Sequence, residues 1–390
     1  MDKKNASYSI HTFELEIPLE KDFYKEYKSM LDIYCTYQPS RSHCRNMMYN
    51  FHHKKELHTT GLHAYCYNNE DLFHLGISNI CLIERRLLEP DGHYCTVSTC
   101  ITFKVNPRIL LGYSENKYIC IVPDNELEKI LPALIYAWEP YGLGAKNLQG
   151  ASIKRLDICT NIILESQLIA EQYLKLLRKG GYYKGLTTKV MPVDKTSHRR
   201  MHPPNEVRYR NAPGHGNRVR ENLSIYLKHA QMKENASIYT EDEINLAKGQ
   251  IRFELRISRN KIPYLKNKYG CEYPSDLIGI AKIIGTDILA EYLAGLYCTG
   301  KFVKTSKAVE LIQASRHRKF VKRNMVRIVK DTRQKDMAYA FRILTNEEKC
   351  RYKKYFNELG ISPITFADSW KKDMFENPTT YIMTNNVNER

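Results

Sequence analysis

The sequence predicts an α+β protein, with an antiparallel sheet carrying helices on one face (a nickase/RRM-like core), a β-rich N-terminal part and a helical C-terminal third. Alternating apolar and polar residues, the period of half-buried strands, dominate the first hundred residues and recur in three later stretches. A helical apolar stripe follows the first of those stretches, which is typical of helices packed on a sheet. From residue 274 onward the pattern is helical almost to the end.

The first part of the chain, residues 1–145, is predicted to be β-rich. Alternation predicts strands over residues 8–17, 60–67, 79–87 and 95–105, and a helix over residues 21–31. Asp91-Gly92, between the last two strands, is a hairpin signal. Histidines are frequent here, but their spacing lacks the pairs of a metal site, and adjacent His52 and His53 would point to opposite sides of a strand. We therefore expect polar surface or nucleic-acid contact in place of a metal cluster.

The cysteines do not suggest disulfides or zinc. There are eleven, an odd number, scattered through apolar runs, and no Cys-x-x-Cys pair occurs. We expect most of them to be buried reduced thiols.

The middle part, residues 146–270, alternates strands with helices. We predict strands over residues 151–163, 222–229 and 250–258, and helices over residues 165–177 and 241–247. Between residues 184 and 220 the periodicity disappears, and nine Lys or Arg accompany two Asp or Glu among interspersed Pro and Gly. Such a long basic insertion is either a binding loop or a solvated excursion, and its place before the second strand favours binding.

The three middle strands gather polar side chains on one face if they lie side by side. Alternation then assembles Asp157, Tyr226, Lys228 and Glu254. Two carboxylates can hold Mg²⁺ or Mn²⁺ against a phosphate, and a phenol can attack it once a cation such as Lys228 stabilises the phenolate. The arginines expected around them, as DNA contacts, are Arg155, Arg252 and Arg256.

A purely structural interpretation competes with this one. The chain has 28 tyrosines, and Asp157 and Glu254 could be ordinary partners of Arg155 and Arg252.

The last part consists of a basic helical domain, residues 271–375, and a polar tail, residues 376–390. Residues 301–342 contain thirteen Lys or Arg and three Asp or Glu, within a chain whose net charge is +17. On the predicted helix over residues 317–330, apolar residues line one side and cations the other, which favours DNA binding. The expected DNA-binding residues there are Lys319, Arg323, Arg327 and Lys330.

The motifs of the middle part resemble those of the replication initiators of filamentous phages, the gene II/X family, and more loosely those of plasmid rolling-circle initiators. The resemblance rests on Ile153-Lys154-Arg155-Leu156-Asp157, Ile225-Tyr226-Leu227-Lys228-His229 and Ile251-Arg252-Phe253-Glu254-Leu255-Arg256-Ile257, followed by Tyr264-Leu265-Lys266. It covers residues 153–270 and is weak outside them.

The resemblance implies a site-specific endonuclease that starts rolling-circle replication. Tyr226 would attack an origin phosphodiester and stay linked to the 5′ phosphate, Asp157 and Glu254 would hold the divalent metal, and Lys228 would assist. The implied partners are double-stranded origin DNA, the displaced single strand, and the host helicase and polymerase. The implied location is the cytoplasm of a bacterial host, and the sequence, which has no apolar run near 20 residues, predicts no membrane partner.

Two departures and two alternatives stay open. No His-hydrophobe-His pair is present, and Asn161 stands where related plasmid initiators often carry a second acidic residue, so a third metal ligand is unassigned. A DNA-binding replication or copy-control protein without catalysis is the main alternative. An RNA-binding module that uses its sheet face would show more aromatic residues than Tyr226 on the three polar faces.

Overall fold

The structure is a computed structural model of the 390-residue chain. It describes residues 9–39, 41, 43–50, 57–89, 91–113, 122, 124–181, 183, 186–188, 191–192, 200–201, 205–211, 221–237 and 239–384. The fold is α+β with an antiparallel sheet. The strands are β1 (Ser9–Leu19), β2 (Thr36–Tyr37), β3 (His43–Asn50), β4 (Leu57–Asn68), β5 (Ile77–Leu88), β6 (Tyr94–Val105), β7 (Ser152–Ile163), β8 (Leu186–Thr188), β9 (Met191–Pro192), β10 (Arg200–Met201), β11 (Glu206–Asn211), β12 (Glu221–Leu227), β13 (Gln250–Ser258), β14 (Phe302–Val303) and β15 (Met374–Phe375).

Helices of very different length connect these strands. They are α1 (Lys21–Tyr34), α2 (Glu70–His74), α3 (Pro107–Leu110), α4 (Ile130–Trp138), α5 (Ala145–Gln149), α6 (Gln167–Leu177), α7 (Lys228–Glu234), α8 (Glu241–Leu246), α9 (Ile262–Tyr269), α10 (Pro274–Gly279), α11 (Ala281–Tyr297), α12 (Thr305–Ala314), α13 (Lys319–Gln334), α14 (Met337–Ala340), α15 (Asn346–Glu358) and α16 (Pro378–Thr384). Within the described part of the chain, no helix is both long and apolar enough to cross a bilayer.

The chain forms two compact units. Unit A comprises Ile10–Ile158 and Ile257–Ala281, and unit B comprises Cys159–Arg256, Lys282–Arg390 and the short stretch Met1–Ser9. Neither unit is a single stretch of chain. The functional division expected at residues 146 and 271 stays a prediction.

Unit A is built on the strands predicted near the N-terminus. The strand order is β2-β4-β5-β6-β1, followed by the first half of β7, and β3 pairs with β4. The predicted hairpin is confirmed, since β5 and β6 pair antiparallel and Gly92 between them has φ +84°, a left-handed conformation that suits glycine. Apolar side chains of β1 and β6 are fully buried, and Trp138 of α4 packs on Phe103 with ring centroids 4.7 Å apart.

In unit B the strand order is the second half of β7, then β13, β12, β11 and β8. Helix α6, which begins after a Ser166 side-chain cap, packs on β11 and β12 through a buried stripe that includes Tyr173 and Leu177. Gly249 holds β13 against the end of β7. Its φ is +79°, and a Cβ added there would lie 2.5 Å from the carbonyl oxygen of Leu164.

Three local predictions need correction. The basic insertion is not without strands, since β11 lies in it and pairs antiparallel with both β12 and β8. Alternation was present there, because Val207 and Tyr209 are fully buried. The strand predicted over residues 222–229 ends at Leu227, and Lys228 begins α7. The predicted polar tail contains α16, where Ile382 is fully buried.

The cysteine prediction is confirmed for the described residues. No disulfide joins the cysteines whose side chains the structure describes, and most of them, such as Cys159 and Cys298, are buried, whereas Cys350 is exposed.

Candidate active site

The site in unit B is centred on Tyr226, near the end of β12. Strand alternation buries its neighbours Ile225 and Leu227 in the core and leaves the tyrosine half-buried on the other face. The phenol donates a hydrogen bond to Glu254 Oε2 of β13, with 3.3 Å between the oxygens. The structure therefore brings together the predicted nucleophile and one of the two predicted metal ligands.

Arg252, two residues before Glu254, lies on the same side of β13 and is only 2% exposed. Its Nε donates to Asn161 Oδ1 of β7 over 2.9 Å. Its Nη2 is a buried donor without a hydrogen-bond partner among the described residues. A side chain buried to this extent does not suit the surface DNA contact that the sequence suggested for Arg252. It suits a positive charge held beside the phenol.

Opposing influences act on the Tyr226 hydroxyl. Burial raises its pKa above the ordinary value, Arg252 acts to lower it, and Glu254 and Cys159 act to raise it, so that the phenol stays protonated at neutral pH. Burial alone would lower the pKa of Arg252, but Cys159, Tyr226 and Glu254 raise it on balance, so its guanidinium keeps its charge. The phenol is thus held between a carboxylate that can accept its proton and a permanent cation.

The phenol faces an open cavity of about 360 Å³, a size within the range of ligand sites. Charged and amide side chains dominate its walls. Glu206, directly opposite Tyr226 in the antiparallel pair of β11 and β12, pairs there with Arg208 (Nε to Oε2, 2.8 Å). The other lining residues are Asn205, Tyr209, Asn222, Ser224, Leu227, Gln231, Glu234, Glu254 and Arg256.

Lys228, the predicted helper of the phenolate, has a different environment. Because β12 ends at Leu227, strand alternation no longer determines where the Lys228 side chain points. It is 4% exposed, and its Nζ donates to Gln231 Oε1 over 2.7 Å. The charge of Arg252 does act on the Tyr226 phenol.

Asp157, the other predicted metal ligand, belongs to unit A. It is fully buried, and Thr12 Oγ1 donates to its Oδ2 over 2.9 Å. Arg155 Nε lies 2.9 Å from Oδ1 and 3.0 Å from Oδ2, and Arg155 Nη1 donates to Glu14 over 2.7 Å. Alternation correctly placed Arg155 and Asp157 on one face. In the structure, however, the guanidinium and the carboxylate bind each other.

A divalent cation does not fit the predicted ligand set as the structure has it. Both oxygens of Asp157 accept hydrogen bonds, and an Mg²⁺ site needs such oxygens free for the metal. Glu206 and Glu234 line the same cavity as Glu254. Even so, the described residues contain no group of three His, Cys, Asp or Glu side chains that could hold a metal ion.

The predicted basic helix is present as α13. Lys319, Arg323 and Lys330 are exposed, and Arg327 is half-buried. The opposite side is buried, with Met325 at its centre, so the amphipathic prediction is confirmed.

Sequence reasoning missed the contribution of β11, which brings Glu206 and Arg208 to the cavity, and the role of Asn161 as the acceptor for Arg252. Alternation within residues 206–211 could have revealed β11, whereas the contact between Asn161 and Arg252 is visible only in the folded structure. Comparison of the whole sequence with models of known protein families gives no match, and comparison with curated proteins gives no significant match.

Proposed function

We propose that this chain is a rolling-circle replication initiator, which nicks and rejoins one DNA strand through a 5′-phosphotyrosine at Tyr226, within a nickase-like core. The observation that carries the proposal is the position of the Tyr226 hydroxyl, between the Glu254 carboxylate and the buried Arg252, at the wall of a polar cavity. The motif resemblance to filamentous-phage initiators and the net charge of +17 support the same class of substrate.

In the proposed reaction, the Tyr226 oxygen attacks a DNA phosphorus while Glu254 takes up the phenolic proton. The bond from oxygen to phosphorus forms, the bond from phosphorus to the 3′ oxygen breaks, and the departing oxygen takes a proton from water to become the free 3′ hydroxyl. Arg252 stabilises negative charge on the phenolate, and its unpartnered Nη2 is a donor for an anionic oxygen. The reverse attack by a 3′ hydroxyl restores the DNA and the tyrosine.

The partners and the location in this proposal come from the resemblance to rolling-circle initiators. The 3′ hydroxyl would serve a host polymerase, a host helicase would open the duplex, and the displaced strand would be closed by the reverse reaction. These events would take place in the cytoplasm of a bacterial host. Arg256, on the cavity wall, is the proposed contact of the DNA backbone next to the scissile phosphate.

The test is covalent capture of DNA. Supercoiled DNA of the replicon that encodes the chain is incubated with the protein and Mg²⁺ or Mn²⁺, and denaturing electrophoresis separates protein linked to DNA from free protein. We expect an adduct and a nicked circle with the wild-type protein, and neither with Tyr226→Phe, because the phenyl ring has no oxygen to attack with.

Tyr183→Phe is the matched control. Tyr183 also belongs to unit B, and its hydroxyl also donates to a glutamate, Glu291, over 2.7 Å, but it does not line the cavity. This variant should form the adduct like the wild type. Unchanged nicking by Tyr226→Phe would refute the assignment of the nucleophile.

A DNA-binding replication or copy-control protein without catalysis is the second candidate. The occupied carboxylate of Asp157 favours it, because this residue is not available to a metal as the structure has it. In that case the wild-type protein would bind the DNA and leave it intact, with or without divalent cations.

A further inference from the structure

Two consecutive helices of unit B, α12 and α13, are joined by the four residues 315–318. The joint is fixed at both ends by hydrogen bonds. Ser315 Oγ donates to the carbonyl oxygen of Ile312 over 2.7 Å, and Lys322 Nζ of α13 reaches back to that of Gln313 over 2.6 Å. Two packed helices joined by a turn of four residues have the same kind of connection as a helix-turn-helix motif.

The inner side of α13 is held from two directions. Met325 and Ile328 of α13 are fully buried, as is Ile312 of α12, and the two helices pack against each other. From the other direction Tyr352 of α15 accepts a hydrogen bond from Asn324 Nδ2 over 2.7 Å. The helix is thus supported along its length, as a helix that reads a partner must be.

The outer side of α13 is cationic. Helical spacing aligns Lys319, Phe320, Arg323, Arg327 and Lys330 in one stripe, about 16 Å long at 1.5 Å per residue. Phe320 is 69% exposed at the first turn of the helix. The turn before α13 adds two exposed arginines, at positions 316 and 318, and α13 itself has a single acidic residue, Asp331.

We propose that α12 and α13 form a helix-turn-helix that binds duplex DNA, with the outer stripe of α13 in the major groove. This inference rests on the proposed function, which it extends by naming the element that finds the double-stranded origin. Arginine and lysine pair with guanine edges and phosphates in that groove, and a phenylalanine at the first turn can contact a thymine methyl group.

Duplex DNA fits the stripe better than other polyanions do. The major groove of B-DNA is about 12 Å wide and admits an α-helix, whereas that of duplex RNA is too narrow for side chains to read. Single-stranded DNA binds to several stacked aromatic side chains, and the stripe presents one.

The test measures binding to a fluorescein-labelled 30-base-pair DNA duplex of random sequence over a range of salt concentrations. The full chain with Tyr226→Phe is used throughout, so that no covalent capture disturbs the titration. Each phosphate contact contributes about 0.9 to the slope of log affinity against log salt. We expect Arg323→Ala with Lys330→Ala to reduce that slope by about two and to weaken binding.

The matched control is Lys354→Ala with Lys371→Ala, which removes the same charge from exposed positions of unit B outside the stripe. Its slope should stay at the value of the parent protein. In a separate arm, Phe320→Ala should leave the slope unchanged and reduce the preference for an origin duplex over a random competitor.

Two results would overturn the inference. One is an equal loss of slope in the stripe variant and the control, which would mean that the charge acts without a specific surface. The other is tighter binding of the stripe to a 30-nucleotide single strand or to a duplex RNA than to duplex DNA. Both are independent of the adduct assay, so failure here leaves the role of Tyr226 standing, and a missing adduct leaves this surface standing.

Discussion

Tyr226 depends on two neighbours with opposite charges on one strand. Glu254 accepts its hydrogen bond, and Arg252 acts against the burial that raises the pKa of the phenol. Asn161, from β7, holds the guanidinium of Arg252 in place. We infer that Asn161 serves to position this cation.

At this scale we predict that Arg252→Lys slows adduct formation by about 10² to 10³, the effect of losing one positioned donor at a developing charge. Lysine keeps the positive charge but has a single nitrogen. It therefore cannot bind Asn161 and face the phenol at the same time, as the guanidinium does. Lys228→Met should cost less than this, since Lys228 Nζ is bonded to Gln231. Single-turnover capture rates of the two variants provide the comparison, with circular dichroism to check the fold. A larger loss for Lys228→Met would restore Lys228 as the phenolate's cation.

The elements of the site show how far sequence alone could go. Strict alternation predicted β7 and β13, whose bounds in the chain agree closely with the prediction. The strand β11 was missed because its charged residues obscured the alternation of Val207 and Tyr209. In the structure β11 packs against α6, and the Tyr209 hydroxyl is hydrogen-bonded to Leu177 of α6 and Tyr297 of α11. The end of β12 was missed because Lys228, the first residue of α7, continues the alternating pattern of the strand.

Apart from the pair of Tyr226 and Glu254, the contacts between distant residues of the site were not predicted. The bond from Arg252 to Asn161 joins residues 91 positions apart, and the pairing of Asp157 with Thr12 joins residues 145 positions apart. Alternation assigns a side chain to a face of its strand. What covers that face depends on the packing of the whole sheet.

A helix cap gives a prediction at the scale of an element. Helix α15 begins with a capping box, in which Glu348 N donates to Thr345 Oγ1 over 3.2 Å and Thr345 N donates to Glu348 over 2.8 Å. Thr345→Ala should lower the free energy of unfolding by about 1 kcal/mol, as measured by urea denaturation. Thr345→Ser keeps the hydroxyl and serves as the control. If the two variants are equally destabilised, the cap does not contribute in the way that we infer.

Across the whole molecule, buried tyrosines link stability to pH. Burial raises the pKa of Tyr27 in unit A, and of Tyr173, Tyr209, Tyr226 and Tyr297 in unit B, above the ordinary value of 10.0. Below pH 10 these side chains are protonated in both the folded and the unfolded chain. Above it the unfolded chain loses protons that the folded chain keeps, so stability falls as pH rises.

We therefore expect the free energy of unfolding to decrease above pH 10, by up to about 1.4 kcal/mol per pH unit for each such tyrosine. Urea denaturation at pH 9, 10 and 11 measures it. The decrease should be shallower in Tyr173→Phe, which removes one of these groups. A free energy of unfolding that stays constant through pH 11 would show that the phenols ionise equally in both states.

The central claim is that Tyr226 becomes covalently linked to DNA. The most direct measurement is mass spectrometry of the adduct after digestion with nuclease and trypsin, which locates the nucleotide on the peptide. We predict a 5′-phosphorylated nucleotide on Tyr226, in the peptide that contains Asn222 to Lys228. A nucleotide on any other residue, or unmodified Tyr226 in protein that has nicked its DNA, would contradict the account.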